Sequence, residues 1–252
     1  MSDPHQSSYP KKGVLLIHGF SGSPHEFKTV IPILEDLGCI VQTVTLPGHG
    51  DDPEIDIHAT SAEAMLQHCV NEAHHMAEKV DAVYLVGHSL GGAFALLTAS
   101  KHPPKLAGVM GYSAPYQHAY FYNHPLGLAK LDFKTMLHCI RYAPADRLKC
   151  KRPSFKPWSI PLLLKDSHRI FQWMQTEVHK INVPVYLAHS RFDLVVPYVE
   201  MAKIADAIPG RVETRTLEKC GHRIFPNSRE KDAALEELFK LLHLPIKVES
   251  FN

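Results

Sequence analysis

Val83-Tyr84-Leu85-Val86-Gly87-His88-Ser89-Leu90-Gly91-Gly92-Ala93-Phe94-Ala95-Leu96-Leu97 begins as an apolar run, passes through Gly-His-Ser-Leu-Gly, and continues in small and apolar residues. The pattern predicts a strand over 82–87, a turn at Ser89 and a helix over 90–102 stopped by Pro103 and Pro104. A glycine on each side of the serine allows a tight, strained turn that lifts the hydroxyl above a sheet. Gly92 and Ala93 then let the helix pack closely on the strand it follows.

On both sides of this stretch, short β-rich runs alternate with longer amphipathic ones. Strands are predicted over 14–18, 39–45, 82–87, 106–112, 183–188 and 212–217. Helices are predicted over 26–37, 61–80, 90–102 and 229–244, with one more after Pro197. Ser61 is placed to cap the second helix, with Glu63 near its positive end. The six runs read as strands buried on both faces, and strand–helix alternation implies right-handed crossovers and a parallel sheet. Active sites of such sheets form beyond the carboxyl ends of the strands, so the residues just past each strand are where chemistry is expected.

One segment breaks the rhythm. Residues 116–180 contain no strand of this type and are too long for a simple loop, so they are expected to fold as a helical layer. The chain therefore divides into a core of 1–115 and 183–252, and a cap insertion of 116–182. The cap holds ten of the 22 aromatics and eleven Lys and Arg against four Asp and Glu, a local charge of +7 in a chain of net charge +1. That patch, densest around Arg141, Arg147, Lys149, Lys151, Arg152 and Lys156, reads either as a solvated face or as a docking face for an anionic partner.

Serine needs an adjacent base to act as a nucleophile. Behind an elbow of this kind the chain order is serine, then an acid, then histidine. His189-Ser190-Arg191-Phe192-Asp193 follows the fifth predicted strand, and Glu218-Lys219-Cys220-Gly221-His222 follows the sixth. Ser89, Asp193 and His222 thus fall where acyl transfer needs a nucleophile, an orienting acid and a base. Each alone would be an ordinary turn residue; the combination points to chemistry. The first strand runs into His18-Gly19-Phe20-Ser21-Gly22, so the N–H groups of Phe20 and Leu90 are the expected oxyanion donors. His18 and His88 are read as scaffold hydrogen-bonders. Phe121, Tyr122, Phe133, Phe171 and Trp173 are candidates for an apolar acyl pocket, or for the cap's own core.

Composition narrows the remaining classes. The chain has 252 residues, 45% hydrophobic and 21% charged, and no apolar run of about 18 residues that would span a membrane. Residues 1–12 lack the apolar core of a secretory signal, so a cytoplasmic location is expected. The five scattered cysteines contain no Cys-x-x-Cys pair, and the eighteen histidines include no His-Glu-x-x-His; neither a disulfide framework nor a metal is expected. Net charge is neutral on nucleic acid, and none is expected as a partner.

His18-Gly19-Phe20-Ser21-Gly22-Ser23-Pro24, Leu46-Pro47-Gly48-His49-Gly50, Gly87-His88-Ser89-Leu90-Gly91-Gly92, His189-Ser190-Arg191-Phe192-Asp193-Leu194-Val195-Val196-Pro197 and Gly221-His222 together resemble the small bacterial carboxylesterases and monoacylglycerol lipases of the α/β-hydrolase superfamily. The likeness runs from residue 14 to residue 225. It implies an α/β-hydrolase fold: a compact, mostly parallel sheet of six strands or slightly more, helices on both faces and an inserted helical cap. It also implies cofactor-free cleavage of short- to medium-chain acyl esters, monoglycerides included. Ser89 would be the nucleophile, Asp193 and His222 its partners, and Phe20 and Leu90 the oxyanion donors. The expected partner is a small-molecule ester, met by a monomer or homodimer without integral membrane contact; the basic cap adds a transient contact with a lipid surface or acidic partner. Three alternatives stay open: a thioesterase or methyl esterase acting on an acyl carrier, a carbon–carbon bond hydrolase, and a slow-turnover receptor that keeps the same residues.

Overall fold

The computed structural model describes residues 10–20, 22–50, 60–117, 160–225 and 230–245, without the side chains of 160–165. In chain order the elements are β1 (Lys12–Ile17), a 3₁₀ turn (Pro24–Phe27), α1 (Ile31–Asp36), β2 (Ile40–Val44), α2 (Ala62–Lys79), β3 (Ala82–His88), α3 (Leu90–Ala99) and β4 (Leu106–Tyr112). After the undescribed stretch come α4 (Ile160–Glu177), a 3₁₀ turn (Val178–Lys180), β5 (Val185–Ser190), α5 (Val199–Ala207), β6 (Val212–Leu217) and α6 (Lys231–Leu241). The six strands form one sheet in the order β2-β1-β3-β4-β5-β6, every neighbouring pair parallel. This is the α/β-hydrolase fold.

Strand periodicity sorts the core onto two faces. Leu15, Ile17, Val83, Leu85, Val185 and Leu187 join α2, α3, α4 and α5 in one apolar layer. Their neighbours Val14, Leu16, Tyr84, Val86, Tyr186 and Ala188 join the Phe27 segment, α1 and α6 in the other. Emptying any of these fully buried leucine sites to alanine costs about 2–5 kcal/mol. Ser61 caps α2 as expected, its hydroxyl accepting from the Ala64 N–H at 3.2 Å, with Glu63 in the first turn.

Two expectations need correction. The helix predicted over 26–37 is split into the 3₁₀ turn and α1, because Pro32 is tolerated only in a first turn and so sets where the helix begins. The strands are also not all buried on both faces. β2 and β6 are the edges, and Gln42, Thr43, Glu213, Thr214 and Arg215 leave them partly exposed. Their polar content suits an edge rather than a centre.

Chain order reverses beside β1: the chain crosses to β2 on one side and returns to β3 on the other. That switch point, the place where open parallel sheets bind ligands, lies at the carboxyl ends of β1 and β3, where His18-Gly19 and His88-Ser89 leave the sheet. Among the described residues no helix is long and apolar enough to cross a membrane.

Candidate active site

β3 ends at His88 and α3 begins at Leu90, so the whole turn is made by one residue. Ser89 takes φ 54° and ψ −121°, a conformation rarely adopted by a side-chain-bearing residue and costing about 1–3 kcal/mol. Its N–H is held by the Tyr112 carbonyl at 2.8 Å. The flanking glycines are required by contact: a β-carbon on Gly87 would collide with the Gly91 carbonyl, and one on Gly91 with the Ile17 carbonyl. The strain is locked in place by β1 and β4, and it presents the hydroxyl to the loop that follows β6.

That loop brings His222 across. Its Nε2 lies 2.9 Å from Ser89 Oγ and its Nδ1 2.7 Å from Asp193 Oδ2. Because the ionised carboxylate only accepts, the ring proton sits on Nδ1, which leaves Nε2 free to take the serine proton. Asp193 is saturated with donors. Oδ1 accepts the N–H groups of Val195 and Val196 at 2.8 and 2.9 Å, and His189 Nε2 stands 3.2 Å from Oδ2. Burial alone would raise the Asp193 pKa; the charge and hydrogen bonds of His222, with those of His189, overcome it and hold the carboxyl far below its ordinary range. The acid and base loops are fastened by Ser190, whose hydroxyl donates to the Cys220 carbonyl and accepts from the Phe192 N–H.

On the β1 side, Gly19 packs on Ser89 so closely that a β-carbon there would lie 3.2 Å from Ser89 Cβ. Phe20 follows directly, and Leu90 opens α3, where a backbone N–H has no partner within the helix. Phe20 and Leu90, the expected oxyanion donors, are thus the chain neighbours of Gly19 and Ser89. His18 ties this loop down: Nδ1–H donates to the Gly19 carbonyl at 2.8 Å and Nε2 accepts from the Leu46 N–H at 3.1 Å. The ring of His49 meets Phe20 edge-on, with centroids 5.7 Å apart, and burial lowers the His49 pKa to about 4.

Other groups stand behind these. Glu26 faces His88, and Glu26 Oε2 accepts the Gly19 N–H at 3.0 Å. Glu200, fully buried at the start of α5, accepts the backbone N–H groups of Tyr116 and Gln117, and so ties α5 to the residues that follow β4. Sequence reading missed both carboxylates: each lies in what reads as the polar face of a helix, and only its tertiary partners identify it. His189 was detectable, standing four residues before Asp193 at a strand end. Of the pocket candidates, Phe171 packs on Val196 beside the acid loop, and Trp173 lies half-buried against the apolar layer of α2 and α3. Phe121, Tyr122, Phe133 and the basic cluster lie outside the described residues. Among the described residues no group of three or more His, Cys, Asp or Glu is placed to hold a metal ion.

Residues 8–230 match the family model for serine aminopeptidase, S33. The pimeloyl-[acyl-carrier protein] methyl ester esterase of Neisseria meningitidis serogroup B is 31% identical over 139 residues, 55% of this chain and 50% of that protein. Lipase 3 of Moraxella sp. is 24% identical over 227 residues, 83% of this chain and 71% of that one. The thermostable monoacylglycerol lipase of Bacillus sp. is 28% identical over 102 residues, covering 40% of each chain. The chain spans about half the length of the first curated relatives it matches. Among solved structures, one from the metagenome-derived lipolytic enzymes LipS and LipT superposes with a TM-score of 0.74 at 22% identity, over 93% of this chain and 96% of that one. The monoacylglycerol lipase of Paleococcus ferrophilus does so at 0.67 and 19%, over 92% and 94%. At these identities the structural likeness is one of fold.

Proposed function

The chain belongs to the serine aminopeptidase, S33 family of α/β-hydrolases, and we propose that it hydrolyses carboxylic esters of short- to medium-chain acyl groups, monoacylglycerol-like or simple, through an acyl-enzyme on Ser89. The observation that carries this reading is the hydrogen-bonded order Ser89 Oγ, His222 Nε2, His222 Nδ1, Asp193 Oδ2 at the switch point of the sheet. The names of the Bacillus and Moraxella relatives point the same way.

In the first half-reaction His222 takes the Ser89 proton as Oγ attacks the ester carbonyl. Asp193 holds the imidazole in its Nδ1–H form and stabilises the imidazolium. The N–H groups of Phe20 and Leu90 receive the negative oxygen, and the alcohol leaves with the proton from His222. Water then repeats the cycle on the acyl-enzyme and releases the acid.

A second reading is favoured by the Neisseria relatives: the ester is a methyl ester on an acyl carrier, and the basic residues of 141–156 attract that acidic protein. Both readings use the same bond cleavage. Fluorophosphonate labelling with peptide mass spectrometry tests the nucleophile, and modification anywhere but Ser89 overturns it. Turnover of p-nitrophenyl esters and 1-monoacylglycerols, against a carrier-bound methyl ester, separates the two substrates. Hydrolysis of a vinylogous diketone in place of any ester would favour carbon–carbon bond cleavage, and labelling without turnover of any substrate would favour a receptor.

A further inference from the structure

Behind the reaction face lies a second buried carboxylate–imidazole pair that acyl transfer does not use. Glu26 Oε1 is in ion-pair contact with His88 Nδ1, and the side chains are only 6% and 3% exposed. Glu26 Oε2 accepts the Gly19 N–H at 3.0 Å. His88 Nε2–H donates to the carbonyl of His222 at 2.8 Å. The chain of contacts runs from the residue before Phe20, through the residue before Ser89, to the backbone of His222. It joins three segments far apart in sequence that must keep register to within a fraction of an ångström for oxyanion, nucleophile and base to act together.

We propose that Glu26 and His88 are positioning residues of the acyl-transfer site, a bridge that locks the oxyanion loop to the base loop, with His88 carrying both ring protons. For its activity readout this rests on the ester-hydrolase reading. The protonation follows from the partners. A carbonyl only accepts, so Nε2 carries a proton; the Glu26 carboxylate already accepts the Gly19 N–H and faces Nδ1, which places the second proton there. Burial of His88 opposes its charge, and the Glu26 carboxylate in contact with it, the His222 carbonyl and Asp193 outweigh burial and raise its pKa. For Glu26 the burial cost is outweighed by the charge of His88 beside it and the Gly19 N–H, which lower the pKa to about 2. The groups facing the pair are thus His18, Gly19, Asp193 and His222, whose ring centroid lies 4.9 Å from that of His88.

The test compares Glu26→Ala and Glu26→Gln with the wild type, measuring kcat and KM on p-nitrophenyl butyrate per fluorophosphonate-titrated site. The alanine variant should lose roughly 10–100-fold in kcat, with KM within about threefold. The glutamine variant should return to within about fivefold, since its amide can accept from Gly19 and donate to Nδ1. A carboxylate that merely fills space would lower stability and leave kcat per titrated site unchanged. Glu26→Ala within about twofold of wild type, or Glu26→Gln as impaired as Glu26→Ala, overturns the bridge. Should the alanine variant not fold, ¹⁵N-histidine NMR of the wild type decides. One imidazole with both nitrogens protonated at mildly alkaline pH, absent in His88→Gln, is expected; its absence from the wild type overturns the proposal. The phosphonylation rate of Ser89 needs no ester substrate. If the wild type labels but turns over no ester, the substrate reading fails, and labelling rates still judge the bridge.

Discussion

Two carboxylate–imidazole pairs lie side by side at the switch point of the sheet, and only one of them is placed to move a proton to or from Ser89. In Asp193–His222 the far nitrogen of the ring faces the Ser89 hydroxyl. In Glu26–His88 the far nitrogen faces a carbonyl, which has no proton to give. The chemistry of the pairs is otherwise alike: an acid nearly excluded from solvent and a ring that touches it. A base is therefore made by what stands on the second nitrogen, and a bridge by the same parts with a different neighbour. The rings are 4.9 Å apart, so each pair is part of the other's electrostatic surroundings.

The sharpest break of this comparison is removal of a reacting group. Ser89→Ala or His222→Ala should each lower kcat on the order of 10⁴–10⁶-fold, with the double variant little worse than either single one, because the residues act as a unit. Asp193→Ala should cost about 10⁴-fold. Steady-state kinetics on a p-nitrophenyl ester measures all of these. A His88→Gln variant as damaged as His222→Ala would erase the distinction between base and bridge.

The Asp193–His222 pair was legible in the sequence and the Glu26–His88 pair was not, for a physical reason. Ser89, Asp193 and His222 each stand just beyond a strand, and strands announce themselves through runs such as Val83 to Val86 and Val185 to Ala188. Once the strand ends are known, topology brings the three together. Glu26 has no such marker. It sits in Ser23-Pro24-His25-Glu26-Phe27, where a glutamate reads as an ordinary solvated side chain, and its burial comes from Gly19, Gly22 and His88 closing over it. The edge strands differ for the opposite reason: periodicity detects a strand but not which strand lies at the margin, so Val212-Glu213-Thr214-Arg215 reads as one of the central runs despite its polar residues.

Acid denaturation sharpens the comparison less drastically. Glu26 has its pKa lowered from 4.5 to about 2. Between those values the unfolded chain binds the proton that the folded one refuses. The stabilisation, about 3 kcal/mol by linkage, is therefore complete above the unfolded pKa and lost as pH falls through the folded one. The raised His88 pKa acts in the other direction: its contribution is complete below 6.5 and lost as pH rises through the folded value. The pair should thus stabilise most between these limits. Urea midpoints of wild type and Glu26→Gln should differ most in that window and converge toward pH 2. His49, lowered to about 4, adds acid lability to both proteins equally and cancels from the difference. A gap between the two proteins that stays constant with pH would mean that Glu26 and His88 are not a charged pair.

The smallest effect concerns His189, a third imidazole in contact with an acid of the site. Its Nε2 stands 3.2 Å from Asp193 Oδ2 and 3.1 Å from the Val196 carbonyl, so the Nε2–H is shared between two acceptors. Asp193 has three further donors, the N–H groups of Val195 and Val196 and the ring of His222, all at 2.9 Å or less. Removing one shared, longer contact from a carboxylate held by three better ones should leave it ionised and aimed. His189→Gln keeps an amide N–H near the same position, and kcat should change by only about two- to fivefold, against the roughly 10⁴-fold expected for loss of the acid itself. The cost should appear chiefly in stability, since the ring is buried to 1% exposure under Val196 and edge-on to Tyr198. Kinetics and urea unfolding of the one variant measure both quantities. A fall in kcat approaching that of Asp193→Ala would place His189 inside the reacting unit, and the line between base and bridge would then have to be drawn on the number of donors each acid retains.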